Sequence, residues 1–158
     1  MNALDVLKYG NNTVQRTVAG LPLAQWKTPN VCGWWSVRDI IAHLASFELT
    51  LEEVLGLFLD GGGGPHLDAM MADPQRFNDE QVAARQDWSA GRVMEDYDAS
   101  HKRVMVLAAR IPRETYRQTG AIPWYGAEYD LDDYLAYTFY GHKREHCAQI
   151  NVFRDTLK

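Results

Sequence analysis

The sequence predicts an all-α protein: a four-helix bundle with a short extra helix and a long loop between helices 2 and 3. Three observations carry this prediction. Four long segments hold apolar residues at helical spacing. Gly- and Pro-containing stretches separate them. No segment alternates with the two-residue period of a strand, and no internal repeat is present. Amphipathic helices gain most of their stability by burying one face against others, and a bundle is the economical way to do so.

The first helix covers about residues 2–21, with Leu4, Leu7, Asn11, Val14 and Val18 at helical spacing, and Gly20 and Pro22 stop it. An irregular stretch with Pro29, Gly33 and the pair Trp34–Trp35 follows. Ser36 opens the second helix, and Asp39, three positions on, completes a variant capping box. Ile40, Ile41, Leu44, Phe47, Leu51, Val54, Leu55 and Phe58 form its apolar stripe, and Gly61–Gly64 with Pro65 end it. Between Pro65 and Gln86 the pattern weakens; Asn78 with Gln81 reads as the cap of the short extra helix. The next long helix runs from about Ser89 to Ile111 and is closed by Pro112. A second irregular stretch, 113–129, contains Trp124 and Tyr125. Asp130, with Asp133 in the box position, opens the last helix, which runs to about Thr156. Short links make neighbouring helices antiparallel, while the 61–86 connection is long enough to cross the bundle.

The 158 residues suit one domain spanning 1–158. Sixteen Lys and Arg against twenty-one Asp and Glu give a net charge of −5 with no basic stripe. Nucleic acid is therefore not an expected partner, and neither is an anionic membrane surface. Asp5 and Lys8 interrupt the N-terminal apolar stretch, which argues against a signal peptide, and no apolar run is long enough to span a bilayer. Two cysteines, Cys32 and Cys147, make no disulfide framework. The expectation is a cytoplasmic protein with reduced thiols.

The last helix carries the strongest chemical signal. Stepping along it from Leu135, one face collects Thr138, Phe139, His142, His146, Gln149 and Phe153. Two imidazoles and an amide thus interrupt an apolar stripe, and burying them without partners costs roughly 1–3 kcal/mol each. His142 and His146 are four apart, so both rings reach one metal ion. His43, between Ile40 and Phe47 on the second helix, supplies a third ligand. Taken alone, His43 reads as a core histidine bonded to backbone or water; the three together point to a metal. His66 lies in the Gly/Pro loop and reads as solvated; His101, three after Asp98, reads as part of a surface pair, with a further ligand pair as the alternative. HKREH matches H-x-x-E-H, but too little chain follows to supply that signature's downstream acidic ligand. Gln149 is placed to orient a ligand histidine. Glu145, on the flank of the stripe, is the nearest candidate base; its alternative is a solvated residue beside Lys143 and Arg144. Cys147 points away from the stripe. Trp34, Trp124 and Tyr125 precede the two histidine-bearing helices and are candidates to line a pocket mouth, whereas Trp35 reads as core packing.

The segments WSVRDIIAHL (Trp35 to Leu44) and HKREHCAQI (His142 to Ile150) resemble the second-helix and last-helix patterns of the DinB/YfiT-like superfamily. The resemblance extends over essentially the whole chain. It implies an up-down-down-up bundle, often a homodimer, with a divalent-metal site made of His43, His142 and His146. It also implies one of several activities: thiol-dependent transfer or isomerisation with mycothiol or bacillithiol, or hydrolysis. Relatives often carry another histidine where this chain has Glu145. Three neutral imidazoles with an open position suit zinc or nickel, which activates a thiol or a water against a small electrophilic substrate. The alternative is a protein that binds metal and a small molecule without turnover, for sequestration or stress resistance.

Overall fold

The computed structural model describes residues 2–59 and 61–158. Helix α1 spans Ala3–Val18, with the Asn2 side chain accepting from the Leu4 N–H. Helix α2 spans Val37–Leu57 and opens on the expected capping box: the Ser36 hydroxyl accepts from the Asp39 N–H, and the Asp39 carboxylate accepts from the Ser36 N–H. Helix α5, Ala90–Arg110, is capped by Ser89. The second capping box, Asp130 with Asp133, opens α6, Leu131–Tyr134. That helix continues without a break through a π-helical stretch, Leu135–Gly141, into α7, His142–Asp155.

Two details differ from expectation. The region between α2 and α5 holds two short helices, α3 (Pro65–Ala72) and α4 (Pro74–Ala83), where one was expected. The cap of α4 is Asp73, which accepts from the Arg76 N–H and precedes a proline at the first helical position; Asn78 lies inside the helix. The second difference is the π stretch. Its bonds skip one residue further along the chain than α-helical bonds, and a uniform 100° wheel does not represent it.

The long helices form two pairs, α2 with α5 and α1 with the last helix, and α3 and α4 lie against α2. The buried core divides into two clusters. One contains Leu7, Leu51, Leu55, Val104, Leu135 and Phe139; the other contains Val14, Ile40, Leu44, Val93, Tyr97, Cys147 and Ile150. The order in which each helix visits them sets direction. α1 and the last helix pass from the first cluster to the second, and α2 and α5 run the other way. The bundle is therefore up-down-down-up, and the α3–α4 segment serves as the crossover that lets α2 and α5 run parallel.

Between the two clusters each long helix contributes residues that are not hydrocarbons, and four of them lie together. Gly10 lies between Leu7 and Val14, Glu48 between Leu44 and Leu51, His101 between Tyr97 and Val104, and Lys143 between Phe139 and Cys147. Glu48, His101 and Lys143 are all buried. Glu48 Oε1 lies 2.5 Å from Lys143 Nζ, and Glu48 Oε2 lies 3.0 Å from His101 Nδ1.

Candidate metal centre

His43 sits two turns into α2, where burial of Ile40, Ile41 and Leu44 turns its ring toward the last helix. His142 and His146 are one turn apart at the start of α7. Their Nε2 atoms are 2.9 Å apart, and His142 Nε2 is also 2.9 Å from His43 Nε2. The three ligand atoms all lie within 4.8 Å of one another. The spacing of the histidines thus predicted the convergence correctly.

Burial pushes the His43 imidazole down to about 2 and that of His142 down to about 3, and the neighbouring rings reinforce both shifts. Burial also lowers His146, against opposing contributions from Gln149 and Glu145. All three rings are therefore neutral near pH 7, each with one N–H and one lone pair. Gln149 Oε1 accepts from His146 Nδ1 at 2.8 Å, which leaves the His146 Nε2 lone pair facing the other rings. This is the orienting role expected of Gln149.

The other two rings are frustrated. The Nδ1 atoms of His43 and His142 are buried without a hydrogen-bond partner. Protons on those Nδ1 atoms leave three lone pairs facing one another. Protons on Nε2 leave buried Nδ1 lone pairs without donors. A divalent cation that accepts all three Nε2 lone pairs removes the first conflict, and roughly 2 Å bonds to imidazole nitrogen match the convergence. The donor set therefore fits a divalent metal.

Aromatic rings pack around the cluster. Trp35 stands 4.8 Å from His43, centroid to centroid, and 6.3 Å from His146; Phe47 is 4.2 Å from His142. Trp35 packs against the second core cluster, as expected, and also lines the site. Trp34 is 71% exposed. Trp124 and Tyr125 pack on Tyr134 at the opposite end of the bundle, within the other core cluster. In an antiparallel pair, the residues that precede each helix lie at opposite ends, so the two aromatic pairs do not share one mouth.

Glu145 is exposed, and its charge reaches both His146 and Cys32. Lys143, read from sequence as solvated, is buried. The two flank the histidine stripe on opposite sides. α1 covers the Lys143 flank: a Cβ on Gly10 would lie 3.4 Å from Lys143 Cδ and 3.3 Å from Tyr140 Cδ2. His101 is not a surface partner of Asp98; it pairs with Glu48, while Asp98 accepts from Gln15. His66 lies in α3, with Nδ1 2.7 Å from Glu53 Oε1. Cys147 is buried in the core, away from the cluster, as expected. Among the described residues no helix is long and apolar enough to cross a membrane.

An up-down-down-up helical bundle with three imidazoles converging between its second and last long helices defines a DinB/YfiT-like protein. The chain belongs to the mycothiol maleylpyruvate isomerase N-terminal domain family, whose model matches residues 10–129. The match includes His43 and ends before His142 and His146. No curated protein and no solved structure matches the chain.

Proposed function

We propose that the chain is a divalent-metal-dependent enzyme, with His43, His142 and His146 as ligands of zinc or nickel, that uses a low-molecular-weight thiol against a small electrophile. The observation that carries this reading is the convergence of three neutral imidazoles with no carboxylate among them. Such a ligand set leaves the cation's double charge uncompensated, and a metal held there supplies a Lewis-acidic position that lowers the pKa of a thiol or a water. The thiol is favoured by the family, which is described by a mycothiol-dependent isomerisation of maleylpyruvate. Gln149 holds the His146 tautomer. Trp35 and Phe47 cover the rings of His43 and His142 and limit access of bulk water. Glu145, on the exposed flank beside His146, is positioned to take up a proton released by the thiol.

Elemental analysis of the purified protein tests the metal. The expected result is near-stoichiometric zinc or nickel in the wild type and none in His142→Ala; an equal, low content in both overturns the reading. Mycothiol-dependent maleylpyruvate isomerisation is the first reaction to assay. Turnover that needs both metal and thiol, and that falls in Glu145→Gln, supports the assignment. Metal occupancy without turnover across thiols and electrophiles favours binding alone.

A further inference from the structure

The imidazole cluster spans two helices that pack on each other only sparsely. α2 packs chiefly on α5, and α7 on α1. The shared core residues Ile40, Leu44, Cys147 and Ile150 hold the two helices together, and the distance from His43 to His142 and His146 needs a finer constraint. Ring contacts of Phe47 with His43 and His142 contribute, at 4.7 Å and 4.2 Å. Ring contacts alone leave sliding and rotation soft, because dispersion contacts have little directionality.

The buried polar layer joins an ion pair to a hydrogen bond and lies immediately beside the cluster. Lys143 follows His142 in sequence, and Glu48 follows Phe47. Glu48 has no exposed surface, and the Lys143 side chain is 3% exposed. Their 2.5 Å contact is a charged link between α2 and α7 beside the 2.9 Å contact of His43 with His142. The other long helices complete it. His101 of α5 meets the second Glu48 oxygen at 3.0 Å. Tyr97 stacks on His101 at 6.3 Å with an interplanar angle of 11°, and Lys143 Nζ lies 5.6 Å from the centre of the Tyr97 ring. Gly10 of α1 leaves room for the Lys143 stem. A buried pair of this kind is weak evidence for stability, since hydrocarbon replacements are often neutral or stabilising. Its better-attested use is to set register.

We propose that Glu48 and Lys143, completed by His101, are positioning residues for the three-imidazole cluster, acting as a strut that fixes α7 against α2. The strut touches neither metal nor substrate. The proposal rests on the metal reading above for its purpose, and the experiment separates the two.

The test uses the full chain and two variants. Glu48→Gln with Lys143→Met removes both charges at similar volume and keeps an oxygen for His101. Glu48→Asp keeps the charge but shortens the arm by one methylene, so it decides the matter if the double variant does not fold. Histidine-selective nitrogen NMR of the metal-free protein reads ring tautomers and contacts, and a cobalt(II) titration reads affinity. The expected result is that folded variants keep the helical circular dichroism of the wild type while the resonances of His43, His142 and His146 shift. Cobalt affinity then falls at least tenfold in the double variant and less in Glu48→Asp. Unchanged imidazole resonances with wild-type cobalt affinity overturn the proposal, even if thermal stability falls, because stability alone is what a merely structural pair would change. A wild type that takes up no cobalt counts against the metal reading, and the imidazole resonances then decide the strut by themselves.

Discussion

Two polar sites lie side by side in the same bundle, and they are built on opposite principles. The Glu48–Lys143–His101 layer contains its own counter-charges. Burial alone would push the Glu48 carboxyl up, but the Lys143 ammonium and the His101 bond outweigh it and hold the group below its ordinary value. The imidazole cluster has three bases and no acid, and two of its nitrogens are buried without partners. The first site balances its charges as folded, although the Tyr97 hydroxyl beside it has no hydrogen-bond partner, and the second gathers bases with no acid to balance them. A charge-balanced buried group suits a frame, whereas converging lone pairs suit a cation.

The largest expected effect tests this contrast directly. Lys143→Met alone strands a buried carboxylate and is expected to cost about 3–5 kcal/mol of stability. His146→Ala in the metal-free protein is expected to cost about 1 kcal/mol or less, because it relieves a frustrated ring as well as losing contacts. Urea unfolding of both variants measures the difference. Equal losses would erase the distinction between a charge-balanced site and one made of bases alone.

The next effect runs in the opposite direction. Free zinc at a hundredfold excess over its Kd is expected to stabilise the wild type by about 2.7 kcal/mol, because metal binds only the assembled cluster. His43→Ala is expected to show no comparable gain. Thermal unfolding with zinc and with a chelator provides the check, and equal shifts in the two proteins would mean the metal binds elsewhere.

Gln149→Ala sharpens the picture within the cluster. Without the Oε1 acceptor, His146 is free to adopt the wrong tautomer, and zinc affinity is expected to fall 10–100-fold with little change in metal-free stability. Competition against a chromophoric chelator measures it.

The cluster was legible in the sequence and the strut was not, although both use the same periodicity. His142, His146 and Gln149 interrupt an apolar stripe with residues that have a known joint chemistry, so spacing and residue type pointed the same way. Glu48, His101 and Lys143 also occupy core positions, each three or four residues from buried neighbours on its own helix. A charged residue at such a position reads as solvated unless its partner is known, and these partners lie on three different helices. The signal was the coincidence of one acid and two bases at core positions on separate helices. The capping boxes at Ser36 and Asp130 were legible because their logic is local. The π stretch was not, because the apolar spacing that marks a helix does not distinguish its π-helical bonds from α-helical ones. The placement of the aromatic pairs failed for a topological reason, since the ends of antiparallel helices had to be assigned before a shared mouth could be drawn.

The smallest expected effect lies away from both sites and provides their reference. The Tyr116 hydroxyl donates to the Ala108 carbonyl at 2.6 Å, within the core cluster at the far end of the bundle. Burial, with a smaller contribution from Asp132, pushes its pKa up to about 12 from an ordinary value near 10. The neutral form is the one the fold accepts, so the contribution is fully present below pH 10 and is lost as pH rises toward 12. Tyr116→Phe is expected to be about 1 kcal/mol less stable at pH 8, from the lost hydrogen bond, and to lack this alkaline decline. Stabilities of wild type and variant from unfolding curves between pH 8 and 12 should therefore converge as pH rises and then cross, because a rise of about two pKa units is worth more than the lost hydrogen bond. If the gap persists across that range, the hydroxyl is not held neutral by burial. A separate check is to compare the same pH series with and without zinc: an identical Tyr116 decline in both would show that this end of the bundle is insulated from the cluster.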